Sequence, residues 1–280
     1  MLDVRGMVAM QEQCYADDLA ELSDDAQRWC GGLMIATYPG SWCNFAIASW
    51  GYGKGDATRE DIATLRSFFE SRGIEPRVHL TAYASAKTLG VLREAGFGLQ
   101  EIETVLYAAP GDVVTRAVPQ DVEVHAFAPD DPNDLDAVAM ALSEGFSGHA
   151  PKPGTLDAVR RPLLSDAVRV YIARVEGSIV GVSGLRVCDR LGYLSFASTL
   201  ERYRRRGVHS ALIAARVARA RELGLDWLTV TSIAGMGTDL LTQTGGLLVS
   251  ALNAIMIPIF TFYFLRDFDL MTAKGKQYLP

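Results

Sequence analysis

Three consecutive arginines and a glycine, Arg204-Arg205-Arg206-Gly207, stand between an alternating apolar run that ends at Thr199 and Leu200 and a long helical pattern that opens near Val208. A strand that feeds a turn at a helix N-terminus is an anion-binding device. The first N–H groups of a helix lack internal acceptors, and the helix dipole is positive at that end. Gly207 has no Cβ and lets the backbone come close to a ligand. The chemistry this spacing predicts is the grip of a phosphate. The plainer alternative is a solvated basic turn.

Bulk composition narrows the ligand. At 280 residues, 49% apolar and 21% charged, the chain has room for one large or two ordinary domains with an ample core. The net charge of −6 argues against a general nucleic-acid binder, so the basic cluster at 202–206 points to a small anion. A second loop, Gly51-Tyr52-Gly53-Lys54-Gly55, is glycine-rich but lacks a fuller phosphate-binding pattern and reads as plain loop. Cys14, Cys30, Cys43 and Cys188 form no C-x-x-C pair and no zinc spacing, so no metal is expected. They read as free thiols in a reducing cytoplasm. The first residues contain no long apolar run of a secretory signal, which again predicts a cytoplasmic protein.

The elements that must hold the basic turn alternate between strand and helix. In the first half, 8–22 reads as helix, and 33–38 and 43–50 as strands split by Pro39-Gly40. Helix 58–72 follows, with Thr58 and Asp61 as a capping pair and Ile62, Leu65, Phe68 and Phe69 on one face. Strand 77–83, helix 84–95 and strand 99–108 complete it. A linker starts at 109–112 and ends near Pro119. In the second half come strand 122–126 and helix 135–146, then a flexible connection through Gly145, Gly148 and Pro151. A three-stranded meander follows over 168–175, 179–187 and 193–200, with Gly181 and Gly184 marking a bulge or a close approach. Helix 208–223 buries Val208, Leu212 and Ala215 and turns Arg216, Arg219 and Glu222 to water. Gly224 stops it, and 226–231 is the next strand. The class is α/β (α+β), with mixed sheets flanked by helices.

Arg204-Arg205-Arg206-Gly207-Val208-His209, preceded by Tyr203 and followed by Ser210-Ala211-Leu212, resembles the acetyl-CoA-binding motif of the GCN5-related N-acetyltransferases, Arg/Gln-x-x-Gly-x-Gly/Ala. It departs at His209, where that family carries Gly or Ala. The meander, turn, helix and strand order is similar to the family core over 122–232, and 33–108 resembles it more loosely. The resemblance implies a duplicated chain with a degenerate acetyltransferase-like domain at 1–115, a cofactor-binding domain at 120–235 and an atypical tail at 236–280. It implies acetyl-CoA as cosubstrate, held by Thr199, Leu200, Arg204, Arg205, Arg206, Gly207, Val208, His209 and Ser210. The acceptor would be an amine of a small molecule or protein, with the Leu200 N–H facing the thioester oxygen. A base must remove the amine proton. Glu144 and Glu201 are candidates that read more simply as surface carboxylates. Tyr171 and Tyr193 read as packing residues and His149 as exposed loop, so no catalytic residue is named.

After Ser232 the family's late helix, which often carries a thiolate-protonating tyrosine, does not follow. Residues 240–265 carry no charge. An apolar helix over 247–265 would span roughly 28 Å, close to a bilayer core. The segment 241–280 also resembles a piece of the AI-2E/PerM-type membrane proteins. The tail thus reads as an apolar helix with potential membrane contact through 240–265, or as a replacement core helix. A non-catalytic acyl-CoA-binding module and an inactive fusion remain alternatives to an enzyme. The acceptor's identity and the oligomeric state are left open.

Overall fold

The computed structural model describes residues 4–21, 23, 25–37, 41, 43–100, 103–128, 132–151 and 156–232. Met1–Gln100 and Val105–Thr231 form one compact unit, while the other unit, Glu101–Thr104 with Ser232–Pro280, lies almost wholly outside the described residues. The expected apolar helix of 236–280, its membrane contact through 240–265 and its second resemblance fall there as well. Among the described residues no helix is long and apolar enough to cross a membrane.

The first half builds helix α1 (Val4–Ala20), strands β1 (Asp25–Trp29), β2 (Gly32–Ala36) and β3 (Phe45–Ile47), helix α2 (Arg59–Glu70), strand β4 (Val78–His79) and helix α3 (Ala86–Glu94). Its sheet has the order β1-β2-β3-β4, antiparallel except for the parallel β3–β4 pair. The β1–β2 hairpin closes through Cys30 and Gly31, both with positive φ, the geometry that matches strand twist. Strand β1 has no apolar alternation because it is an edge with four exposed residues, which is why the sequence pattern missed it. Helix α2 starts at the expected capping pair, Thr58 with Asp61, and buries Ile62, Leu65, Phe68 and Phe69 against Met34 and Trp50.

The second sheet takes β5 (Thr104–Ala108), β6 (Glu123–Ala126), β7 (Val168–Val175), β8 (Ser178–Cys188), β9 (Leu191–Tyr193), β10 (Ala197–Thr199) and β11 (Trp227–Ser232). Around it lie α4 (Pro132–Ser147), α5 (Leu156–Leu163) and α6 (Val208–Glu222). The order is β5-β11-β9-β8-β7-β6, with β10 paired to β8. Strand β5, read from sequence as the last strand of the first half, therefore lies beside β11 in the second sheet. Gly145 lies inside α4 rather than in a connection. A Cβ there would stand 2.6 Å from Ser198 Oγ, so this glycine lets α4 settle onto β10. Gly181 does the same for α6, whose Val208 would be 2.8 Å from an added Cβ.

Two more expectations fail. Arg216 is not on the wet face of α6 but only 2% exposed. It stands four residues after Leu212 and eight after Val208, on the buried stripe, while half-buried Arg219 and exposed Glu222 pair at 3.0 Å. The cysteines are not all free thiols: Cys14 of α1 and Cys188 at the end of β8 form a disulfide, and Cys30 and Cys43 are free and buried. A separation of 174 residues concealed the pair. Packing of α1 on β8 and β9 brings the two Cα atoms to 5.8 Å, a normal span for the bond.

A buried charge cluster fastens the same joint. Arg186 of β8 donates to Glu21 at 2.7 Å and to Asp18 at 3.3 Å. Burial, set against the pull of Arg186, lifts the Asp18 pKa from 3.8 to about 6. A carboxyl with a raised folded pKa favours the folded state fully below its unfolded value, and that contribution is lost as pH rises through about 6. Glu21 is shifted down by its bonds to Arg186 and Ser165 against the opposing burial, and acts the other way, below the ordinary glutamate range. Asp18→Asn is therefore expected to gain on the wild type by about 1–2 kcal/mol between pH 4 and pH 7.5 in urea unfolding. A difference that does not change with pH would rule this out.

Candidate acyl-CoA site

The meander's third strand is not one strand but two. Strand β9 pairs in parallel with β11 through Trp227↔Leu191, Leu228↔Gly192 and Thr229↔Tyr193. The last rung is Leu194 N–H to the Thr229 carbonyl, 2.8 Å. Residues 194–196 then kink away, and β10 continues on β8 alone, with Ala197↔Ser183, Ser198↔Val182 and Thr199↔Gly181. Beyond that rung β10 and β11 share no ladder bond among the described residues, so the sheet opens into a gap.

The register decides which backbone groups face the gap. The Phe196 carbonyl accepts from Gly184 at 2.8 Å, and the Leu200 N–H donates to Val180 at 2.9 Å. The even-numbered residues thus spend their backbone groups on β8. The Leu200 N–H expected to meet a thioester oxygen is not available for it. Ala197 and Thr199, of opposite phase, turn their N–H and C=O groups toward the gap. The hydroxyls of Ser183, Ser195 and Thr199 are buried around this place and have no partner among the described residues, which is costly unless something else satisfies them.

The basic turn lies one residue past β10. A short 3₁₀ turn, Glu201–Tyr203, bends the chain, Arg205 and Gly207 take positive φ of 62° and 80°, and α6 starts at Val208. Among the described residues no side chain caps α6. The N–H groups of Arg205, Arg206, Gly207, Val208, His209 and Ser210 have no acceptor among the described residues, and the first helical bond is Ala211 to Gly207. Six successive open amides form a nest at a positive dipole end.

The arginine side chains do other work. Arg204 donates to the carbonyls of Thr199, 3.3 Å, and Gly145, 3.0 Å, and so ties the turn to β10 and α4. Arg206 bonds Asp121 at 2.6 Å, and Pro119 packs on Gly207, so the linker props the turn from one side. The guanidiniums of Arg202 and Arg206 lie over the Tyr203 ring. Arg205 is exposed and has no ion pair among the described residues. His209 sits at the exposed start of α6. Desolvation of its ring by neighbouring protein, and then the Arg216 cation, hold its pKa below the usual histidine value.

Among the other candidates, Glu201 and His149 are exposed and Glu144 is half-buried. Tyr171 and Tyr193 are buried packing residues. Among the described residues no cluster of three or more His, Cys, Asp or Glu side chains could hold a metal ion.

The glycine-rich loop of the first half shows what a closed version looks like. Its Gly51, Gly53 and Lys54 amides donate to Lys54, Ser49 and Ser49 carbonyls at 2.9–3.1 Å. The α2 N-terminus is occupied by its own Thr58 and Asp61. That loop has few amides left to offer, as its sequence suggested.

Residues 136–233 match the model of the acetyltransferase (GNAT) family. No curated protein matches the chain. A GCN5-related N-acetyltransferase from Kribbella flavida superposes with a TM-score of 0.52 at 17% identity, over 80% of this chain and 85% of that one. One from Sphaerobacter thermophilus gives 0.47 at 16% identity, over 62% and 57%. An aminoglycoside acetyltransferase from an uncultured soil metagenomic sample, solved with sisomicin, gives 0.35 at 18% identity, over 44% and 87%. Family match, sheet order and open gap agree, and residues 136–233 carry the fold of a GNAT acetyltransferase.

Proposed function

We propose that this chain is an acetyl-CoA-dependent N-acetyltransferase acting on an amine of a small molecule or protein. The observation that carries the reading is the coupling of six amides without an acceptor among the described residues, from Arg205 to Ser210, with a gap between β10 and β11 directly upstream. The amides suit a diphosphate. The outward N–H groups of Ala197 and Thr199 and the Ala197 C=O suit the amide-bearing arm of the coenzyme, while Arg204 takes the Thr199 C=O. Bound acetyl-CoA would supply the activated thioester. The chain's own task is then to exclude water, orient the carbonyl and offer a donor to its oxygen. With Leu200 committed to Val180, the main-chain donor for that oxygen falls to Ala197 or Thr199.

The first half fits a degenerate second copy. Its β3, α2 and β4 form a parallel crossover like that of β9, α6 and β11. Its helix α1 then lines the base of the gap: Gln11, fully buried, accepts from Thr229 Oγ1 next to the last rung. This supports a structural and substrate-shaping role for residues 1–115. For 236–280 the reading stays that of an apolar tail with potential membrane contact.

The test is calorimetric titration of the full chain with acetyl-CoA, followed by thiol release with a panel of amines. Saturable heat together with thiol release on some amine is expected. Binding without release from any amine would support the acyl-CoA-binding module instead, and no heat would dismiss both.

A further inference from the structure

Arg216 carries a buried charge that no acid among the described residues answers. It is 2% exposed, and among the described residues it makes no ion pair. An uncompensated buried cation is expensive, and an apolar side chain on this helical stripe would be the cheaper way to fill the space. Desolvation draws its pKa down to about 10, partly offset by Tyr171.

Its bonds show where the charge is spent. Between the pairs Arg186↔Tyr193 and Ser183↔Ala197, residues 184 and 185 of β8 face residues 194, 195 and 196. One extra residue makes this a β-bulge, which turns a strand and interrupts its ladder. The Gly184 N–H still reaches Phe196. No backbone N–H among the described residues reaches the Gly184 carbonyl. Arg216 Nη1 donates to that carbonyl at 3.2 Å, while its Nε donates to Leu212 of its own helix at 3.2 Å. The guanidinium thus replaces the missing rung at the point where the chain leaves β11.

We propose that Arg216 is a positioning residue for the acyl-CoA gap, fixing the 194–196 bulge through the Gly184 carbonyl and so keeping β10 apart from β11; this rests on the acetyl-CoA reading above. Without the guanidinium, the orphan carbonyl recruits an N–H from the 194–196 segment, the bulge that turns β10 away from β11 relaxes, and the gap loses its shape. The α6 turn, eight residues upstream, keeps its amides.

The test compares two ligands on the full chain by calorimetry. One is acetyl-CoA, and the other is adenosine 3′-phosphate 5′-diphosphate, the nucleotide end of the coenzyme, which needs only the turn. Arg216→Met fills the same space without charge. It is expected to melt no lower than wild type, to lose at least tenfold in acetyl-CoA affinity and to hold the nucleotide within threefold. Arg216→Gln, too short to reach Gly184, is expected to show the same selective loss and serves if the methionine variant does not fold. Unchanged acetyl-CoA affinity, or equal loss of both ligands, overturns the proposal. A wild type that binds neither ligand fails the functional reading itself, and is told apart because no variant is needed to see it.

Discussion

Gly207→Ala is expected to weaken acetyl-CoA binding about 100-fold while leaving the fold intact, and two independent features of the turn give that size. Gly207 has φ 80° and ψ 0°, where an L side chain costs about 1–2 kcal/mol. A Cβ at this position would also stand 2.6 Å from Pro119 Cγ and 3.2 Å from its Cδ. Both are relieved only if the turn swings, which scatters the amides of residues 205–210. Charge-assisted bonds to a phosphate contribute about 1.5–3 kcal/mol each, so loss of even one good one reaches the stated factor. The change is local: Val208 and Leu212 remain buried under the sheet. Calorimetry with acetyl-CoA gives the affinity, and circular dichroism checks the fold. Adding Pro119→Ala removes the contact but not the φ cost, and should recover only part of the loss. Affinity within threefold of wild type for Gly207→Ala would mean that the turn does not grip the ligand.

The turn was legible because local chemistry dictates it. A glycine before an uncapped helix, at the end of an alternating run, needs no distant partner to be recognised. Helix α2 was legible for the same reason, through Thr58 and Asp61 and a stripe of four buried side chains. What escaped the sequence is what long-range pairing decides. Strand β5 carries nothing that tells it to join β11 rather than the first sheet. The phase of β10 could not be read without the bulge at 194–196, so the backbone donor was assigned to Leu200, whose N–H the register pairs with Val180, while Ala197 and Thr199 have the opposite phase. Arg216 was placed on the wet face because arginine is seldom buried unpaired. Its spacing from Val208 and Leu212 was the signal that could have found it, and the glycines at 181 and 184 hinted at the irregularity it serves.

Cys188→Ala is expected to cost about 4 kcal/mol of stability, and to loosen the gap as well. In the chain-entropy account a cross-link acts by restricting the unfolded chain, and the effect grows with the loop it closes; here the separation is 174 residues. The bond joins α1 to the end of β8, beside Arg186 with its Asp18 and Glu21 partners. When it is cut, that charge cluster and the packing of Tyr15 on Tyr193 are left to hold the helix. Helix α1 also brings Gln11 to Thr229, the residue whose carbonyl accepts the rung where the gap begins. Freedom of α1 therefore reaches the site, and acetyl-CoA affinity should fall severalfold along with stability. Urea unfolding of wild type with and without dithiothreitol measures the first effect, and calorimetry under the same two conditions the second. Cys14→Ser should reproduce both, with no further response to the reductant. If dithiothreitol leaves the wild-type midpoint unchanged, the bond does not fasten the first half to the second sheet. The coupling of α1 to the gap would then rest on the Arg186 cluster alone.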